Sequence, residues 1–152
     1  MKKITIAVIG CGRIANNAHF PAFEKIEDLR IKYACDILPE KAERAKEAFP
    51  KIERVITDYH IALADPEVDA VYVLTPNDMH FPIATDALRA GKHVFCEKPV
   101  AVTGKLAEEM AACAEETGKR LMIGVCNRYH RSVEMLKSWV EEGRFGKLYH
   151  VY

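Results

Sequence analysis

The chain has no surplus of either charge: 22 Lys and Arg stand against 22 Asp and Glu. No net field therefore draws nucleic acid or an anionic membrane surface to it. No apolar run approaches the roughly 18–20 residues that a membrane span needs. Met1-Lys2-Lys3-Ile4 opens like a signal peptide, but the glycines and Arg13 interrupt any apolar region too early, and no small-residue cleavage site follows a longer one. A cytoplasmic chain is expected. There is no Cys-x-x-Cys pair. The cysteines, Cys11, Cys35, Cys96, Cys113 and Cys126, are odd in number and scattered, which argues against zinc and thioredoxin-like chemistry and for reduced thiols. No metal is expected. Internal repeats and low-complexity linkers are missing too, and 152 residues suffice for one ordinary domain with a real core.

The most informative segment is Ile6-Ala7-Val8-Ile9-Gly10-Cys11-Gly12-Arg13-Ile14-Ala15. It reads as a buried strand running into Gly-x-Gly-x-x-Ala, the form of a phosphate-binding turn at a helix N-terminus. Gly10 permits the tight turn. Gly12 lets the backbone approach a pyrophosphate, and Ala15 lets the new helix lie close to the strand. The helix N–H groups and dipole then face the phosphates. A second strand, residues 30–35, ends in Asp36, about 20 residues past the turn, where an acid holds a ribose 2′-hydroxyl. The plainer alternative is an acid that only begins the turn before Pro39.

Periodicity alternates between strand and helix along the rest of the chain. Strands are expected at 4–9, 30–35, 55–56, 70–74, 93–96 and 121–126. Helices are expected from Arg13 towards Ile26 with Pro21 kinking it, from Pro39 to Phe49, at Tyr59–Ala64, from Asn77 or Asp78 to Gly91, from Thr103 to Gly118, and over Ser132–Glu141 ending at Gly143. The alternation predicts an α/β fold: a doubly wound parallel sheet in the order 3-2-1-4-5-6, with ligands gathering outside the carboxyl ends of the strands. The unusual residues fall there. Gly10-Cys11-Gly12 follows the first strand, Asp36 the second, Thr75-Pro76-Asn77-Asp78-Met79-His80 the fourth, Glu97-Lys98-Pro99 the fifth and Asn127-Arg128-Tyr129-His130 the sixth.

These segments, with Gly91-Lys92-His93-Val94-Phe95-Cys96 leading into Glu97-Lys98-Pro99, resemble the Gfo/Idh/MocA oxidoreductases, the family of glucose–fructose oxidoreductase and the inositol dehydrogenases. The resemblance covers essentially the whole chain. It implies an NAD-dependent dehydrogenase acting on a small-molecule substrate, a secondary alcohol of a sugar, cyclitol or related polyol. The turn Gly10, Cys11, Gly12, Arg13 and Ile14 would carry the pyrophosphate. Asp36 would bind the adenosine ribose and favour NAD over NADP. Thr75, Pro76, Asn77 and His80 would line the cofactor, and Glu97 and Lys98 would flank the nicotinamide. Lys98 would be the catalytic group, reaching the substrate's reacting oxygen; a lysine in a partly dry pocket suits that role, whereas most lysines are solvated surface groups. Asn127, Arg128 and Tyr129 would edge the same pocket, and Lys98–Pro99 would be a cis peptide.

The resemblance also implies a division of the chain: 1–145 as the dinucleotide-binding Rossmann domain and 146–152 as the opening strand of a substrate domain that is otherwise missing. Such a chain binds cofactor with little turnover of its own and self-associates through the exposed segment Leu148, Tyr149, Val151 and Tyr152. A stand-alone dinucleotide-binding or redox-sensing protein, or an interaction subunit paired with a separate substrate domain, are the other readings. Among the remaining residues, His19 faces either the cofactor groove or solvent, and His80 either caps its helix or touches cofactor. His93 is expected as a satisfied core imidazole, Cys11 and Cys96 as packing, and Trp139 on the apolar stripe of the last helix with Val133, Leu136 and Val140.

Overall fold

A computed structural model describes residues 3–150. Strand and helix alternate as β1 (Ile4–Ile9), a π turn (Ala15–His19) leading into α1 (Phe20–Phe23), β2 (Leu29–Cys35), α2 (Pro39–Ala48), β3 (Ile52–Ile56), α3 (His60–Ala64), β4 (Ala70–Val73), α4 (His80–Arg89), β5 (His93–Cys96), α5 (Gly104–Thr117), β6 (Leu121–Ile123) and α6 (Arg131–Glu141). The six strands form one sheet in the order β3-β2-β1-β4-β5-β6, and every pairing is parallel. Both the alternation and the expected order are therefore observed. None of the described helices is long and apolar enough to cross a membrane.

Because helices cover both faces, the central strands read as continuous apolar runs. β1 supplies alternate residues to the two sides: Ala7 and Ile9 join the core with Val71, Val73, Ile83, Leu88 and Met110, while Ile6 and Val8 join Phe20, Phe23, Ile31 and Ile52. Helix ends follow their local signals. Thr103 accepts from the Leu106 N–H at 3.3 Å, and α5 stops at Gly118 in the left-handed region, φ +64°.

Several boundaries differ from expectation. The first helix is not one α-helix to Ile26. Pro21 has no N–H to give the carbonyl four residues back, and the ladder widens ahead of it: the Phe20 N–H bonds to Ala15 O. β3 begins earlier than expected, at Ile52, because Ile52 pairs with Ile31 across the sheet. β6 is shorter and gives way at Gly124 to a 3-10 turn over Cys126–Tyr129. His93 is exposed rather than buried, accepting from the Arg120 N–H at 3.0 Å. Residues 147–150 carry no regular structure, and Val151 and Tyr152 lie outside the described residues.

Candidate functional site

The parallel sheet sends its connections out at the carboxyl edge, and the β1 connection meets those of its neighbours there. Gly10 stands at φ +98°, and a Cβ on it would come within 2.6 Å of Leu74 O. The turn is thus wedged against the end of β4, where only glycine fits. Gly12 differs: an added Cβ would meet nothing within 4 Å. The protein itself does not demand glycine at this position, so the missing side chain leaves room on the open side of the turn. The Asn16 amide group donates to Cys11 O and Gly12 O, each at 2.8 Å, and steadies the turn from below.

Asp36 sits across from it at the end of β2. One carboxylate oxygen accepts from the Cys11 N–H at 2.9 Å and the other from the Leu38 N–H at 3.0 Å. The acid is pinned between the glycine turn and the start of α2, and each oxygen keeps a lone pair for a hydroxyl donor. Together these loops enclose a cavity of about 420 Å³. Gly10, Gly12, Arg13, Ile14, Asp36, Thr75 and Pro76 line it. The Thr75 hydroxyl oxygen is buried and has no hydrogen-bond partner among the described residues, an arrangement a bound polar ligand would relieve.

The remaining candidates lie elsewhere. Cys11 is buried beneath the turn with its Sγ 3.6 Å from Cys35 O. Burial and the charge of Asp36 push its thiol up to about 12, so it packs and does not react. Cys35 and Cys96 are likewise pushed up to about 12, chiefly by burial. Asn77 is exposed on a 3-10 turn. His80 is 1% exposed, with Nδ1 2.7 Å from Pro99 O and Nε2 3.0 Å from Thr75 O. It is a strut between two loops and is not among the residues that line the cavity. Glu97 turns its carboxylate to His19 Nε2, at 2.9 Å, and to the Lys98 N–H, at 3.1 Å, not to the cavity. Lys98 is exposed, and the Lys98–Pro99 peptide is cis, as expected. Asn127 and Arg128 are exposed on the last 3-10 turn, and Arg128 lines a separate, more open groove with residues of α6.

The cavity also gathers residues that motif reading missed, Ile37, Leu38, Lys41, Thr57 and Tyr59, together with Met79 of the loop after β4. Ile37 and Leu38 are exposed apolar residues directly after Asp36, and that juxtaposition was the signal available. Tyr59 is oriented by donating to Asp86 at 2.8 Å; burial, and then this bond, push its hydroxyl up to about 12.

Comparison with known proteins agrees with this geometry. The family model described as "Oxidoreductase family, NAD-binding Rossmann fold" (GFO_IDH_MocA) matches residues 4–125, and the chain belongs to that family. It is 29% identical over 141 residues to the inositol 2-dehydrogenase of Salmonella paratyphi B, covering 92% of this chain and 42% of the relative. Among solved structures, it resembles the WlbA dehydrogenase of Bordetella pertussis in complex with NADH and UDP-GlcNAcA (TM-score 0.89, 32% identity, 97% of this chain and 42% of that one). It also resembles KijD10, a 3-ketoreductase of Actinomadura kijaniata in complex with NADP and TDP-benzene (TM-score 0.85, 33% identity, 93% and 43%). The chain therefore spans less than half the length of these relatives.

Proposed function

We propose that the chain is the cofactor-binding part, residues 1–145, of an oxidoreductase that interconverts a secondary alcohol and a ketone on a sugar, cyclitol or related polyol. The reading rests on one convergence: an open-sided glycine turn, a pinned carboxylate and a threonine with an unpartnered hydroxyl all border the same cavity. These residues fit a dinucleotide. The turn from Gly10 to Ile14 would hold the pyrophosphate against helical N–H groups, Asp36 the adenosine ribose, and Thr75 and Pro76 the middle of the molecule. Ile37, Leu38 and Tyr59 supply apolar surface at the adenosine end. A nicotinamide cofactor held by these residues would supply the acceptor, or in the reduced form the donor, of the hydride at the alcohol carbon.

The chain's own part in the chemistry is to bind, orient and move a proton. Lys98 stands in the loop after β5, exposed, and among the described residues no carboxylate pairs with its ammonium. In the alcohol-to-ketone direction the neutral Nζ amine would take the hydroxyl proton and become the ammonium; in the reverse direction the ammonium would return that proton to the carbonyl oxygen. Orientation of substrate contributes about 7–11 kcal/mol to such reactions. The matched part is 42% of the relatives' length, and the expectation for this part by itself is cofactor binding with little turnover of substrate.

Asp36 gives the sharpest test. Its carboxylate accepts from a 2′-hydroxyl and repels a 2′-phosphate, a difference of about 1.5–3 kcal/mol or tenfold and more in affinity. Calorimetric titration should give tighter binding of NADH than of NADPH, and Asp36→Ala should bring the two constants together. Equal constants in the unaltered chain, or a ratio unmoved by Asp36→Ala, would reject the ribose role.

A further inference from the structure

Lys98 is flanked by Glu97 and Pro99, and each neighbour is held by a histidine from a different loop of the cofactor site. On one side, His19 Nε2 lies 2.9 Å from Glu97 Oε1, with the two side chains only 14% and 15% exposed. The other oxygen of that carboxylate accepts from the backbone N–H of Lys98 at 3.1 Å. On the other side, His80 Nδ1 lies 2.7 Å from Pro99 O while its Nε2 lies 3.0 Å from Thr75 O. His19 belongs to the helical run that the glycine turn opens. His80 is tied to the loop that carries Thr75. Both loops border the proposed cofactor cavity.

We infer that His19 and His80 are positioning residues for Lys98, which clasp its turn from both flanks and couple it to the two loops that hold the cofactor. The inference rests on the reading of Lys98 as the proton-handling group. His19 reaches its place through the π turn Ala15–His19; π turns occur mostly as single-turn bulges within α-helices and are frequent at functional sites. Its ring is boxed by Phe23, Tyr72 and Phe95, with centroids at 5.9, 6.1 and 5.4 Å. A residue that merely filled this aromatic box would be apolar. The box instead holds an imidazole aimed at a carboxylate, and that carboxylate spends its second oxygen on the amide of Lys98. Gly124 closes the arrangement from β6: an added Cβ would stand 3.2 Å from Glu97 Oε1 and 3.0 Å from the Phe95 ring. Such crowding presses on the Phe95 ring and the Glu97 carboxylate together, so that the carboxylate must shift by a few tenths of an ångström as well as the ring.

The test is amide hydrogen exchange by NMR on the 152-residue chain, with and without NADH, for the unaltered protein, His19→Ala, His19→Gln and Gly124→Ala. A glutamine amide donates from about the position of Nε2. The expected result is a tenfold or greater acceleration at the Lys98 amide in His19→Ala, no change beyond twofold at β1 and β4 amides, and recovery to within about threefold in His19→Gln. NADH should slow the Lys98 amide in the unaltered chain and not in His19→Ala. Gly124→Ala, which keeps the histidine, should reproduce the acceleration and carries the test if His19→Ala does not fold. An unchanged Lys98 amide in these variants would overturn the inference. So would acceleration shared by the β1 and β4 amides, which marks a residue that only stabilises the fold. If the unaltered chain fails to bind NADH, the cofactor reading falls, while exchange at Lys98 without NADH still decides the clasp.

Discussion

Gly10 and Gly12 are two residues apart and exclude a side chain for different reasons. At Gly10 the obstacle is the protein: a positive φ, and the carbonyl of Leu74 2.6 Å from an added Cβ. The left-handed backbone costs a non-glycine residue about 1–2 kcal/mol and overpacking about 1–3 kcal/mol. Gly10→Ala should therefore lower the unfolding free energy by about 2–5 kcal/mol in urea melts. At Gly12 the protein offers no obstacle, so Gly12→Ala should leave stability within about 1 kcal/mol, as surface substitutions do. If both variants proved equally destabilised, the protein itself would be what requires glycine at residue 12, and the ligand argument there would fail. Residue-scale reading located the tight turn at Gly10 and the acid at the end of β2, because both follow directly from where a strand stops. It could not find the place of Glu97 or His80. Their partners, His19 and Pro99, are 78 and 19 residues distant along the chain, and only the assembled sheet brings them together.

At the scale of elements, strands and their order were legible because buried parallel strands leave continuous apolar runs between capped helices. The π turn was not legible. Pro21 signals a disturbance, but whether the ladder kinks, breaks or widens depends on what the helix packs against. The link between β2 and the α3–β4 connection was also hidden in the sequence, since its charges look like ordinary surface groups. Asp65 accepts from the Tyr33 hydroxyl at 2.8 Å and the Glu67 N–H at 2.9 Å, and pairs with Lys32. The Lys92 ammonium donates to Asp65 O and Val68 O at 2.6 and 2.9 Å. Lys32, first, holds the Asp65 carboxyl down at about 2, below its ordinary 3.8. A carboxylate with a lowered folded value stabilises the protein above its ordinary value, and that contribution fades as pH falls through the folded one. The unfolding free energy should fall between about pH 4 and pH 2. Asp65→Asn should lower it by roughly 1–3 kcal/mol at neutral pH and flatten that acid limb. An Asp65→Asn profile parallel to the original across this range would show that the network contributes nothing.

At the scale of the whole molecule, burial is uneven. The sheet has helices on both faces, yet α6 buries none of its residues. Val133, Leu136 and Val140 along it, with Phe145, Leu148 and Tyr149 beyond, are all exposed, and Trp139 packs against Phe145 and under Arg144. Contiguous exposed apolar surface of this kind promotes association. Sedimentation at tens of micromolar should show dimers or larger species, and Leu136→Glu with Val140→Glu should return the chain to monomer. A monomer at all concentrations would remove self-association from the account.

The central claim is that the cavity between the glycine turn and Asp36 holds a dinucleotide, and a calorimetric titration of NADH into the chain and into Gly12→Ala, side by side, addresses it most directly. The account predicts one site per chain, and at least tenfold weaker binding in Gly12→Ala with its thermal unfolding unchanged, because the added methyl group occupies only the space the pyrophosphate needs. Binding of equal strength in the two proteins, or none in either, would contradict it.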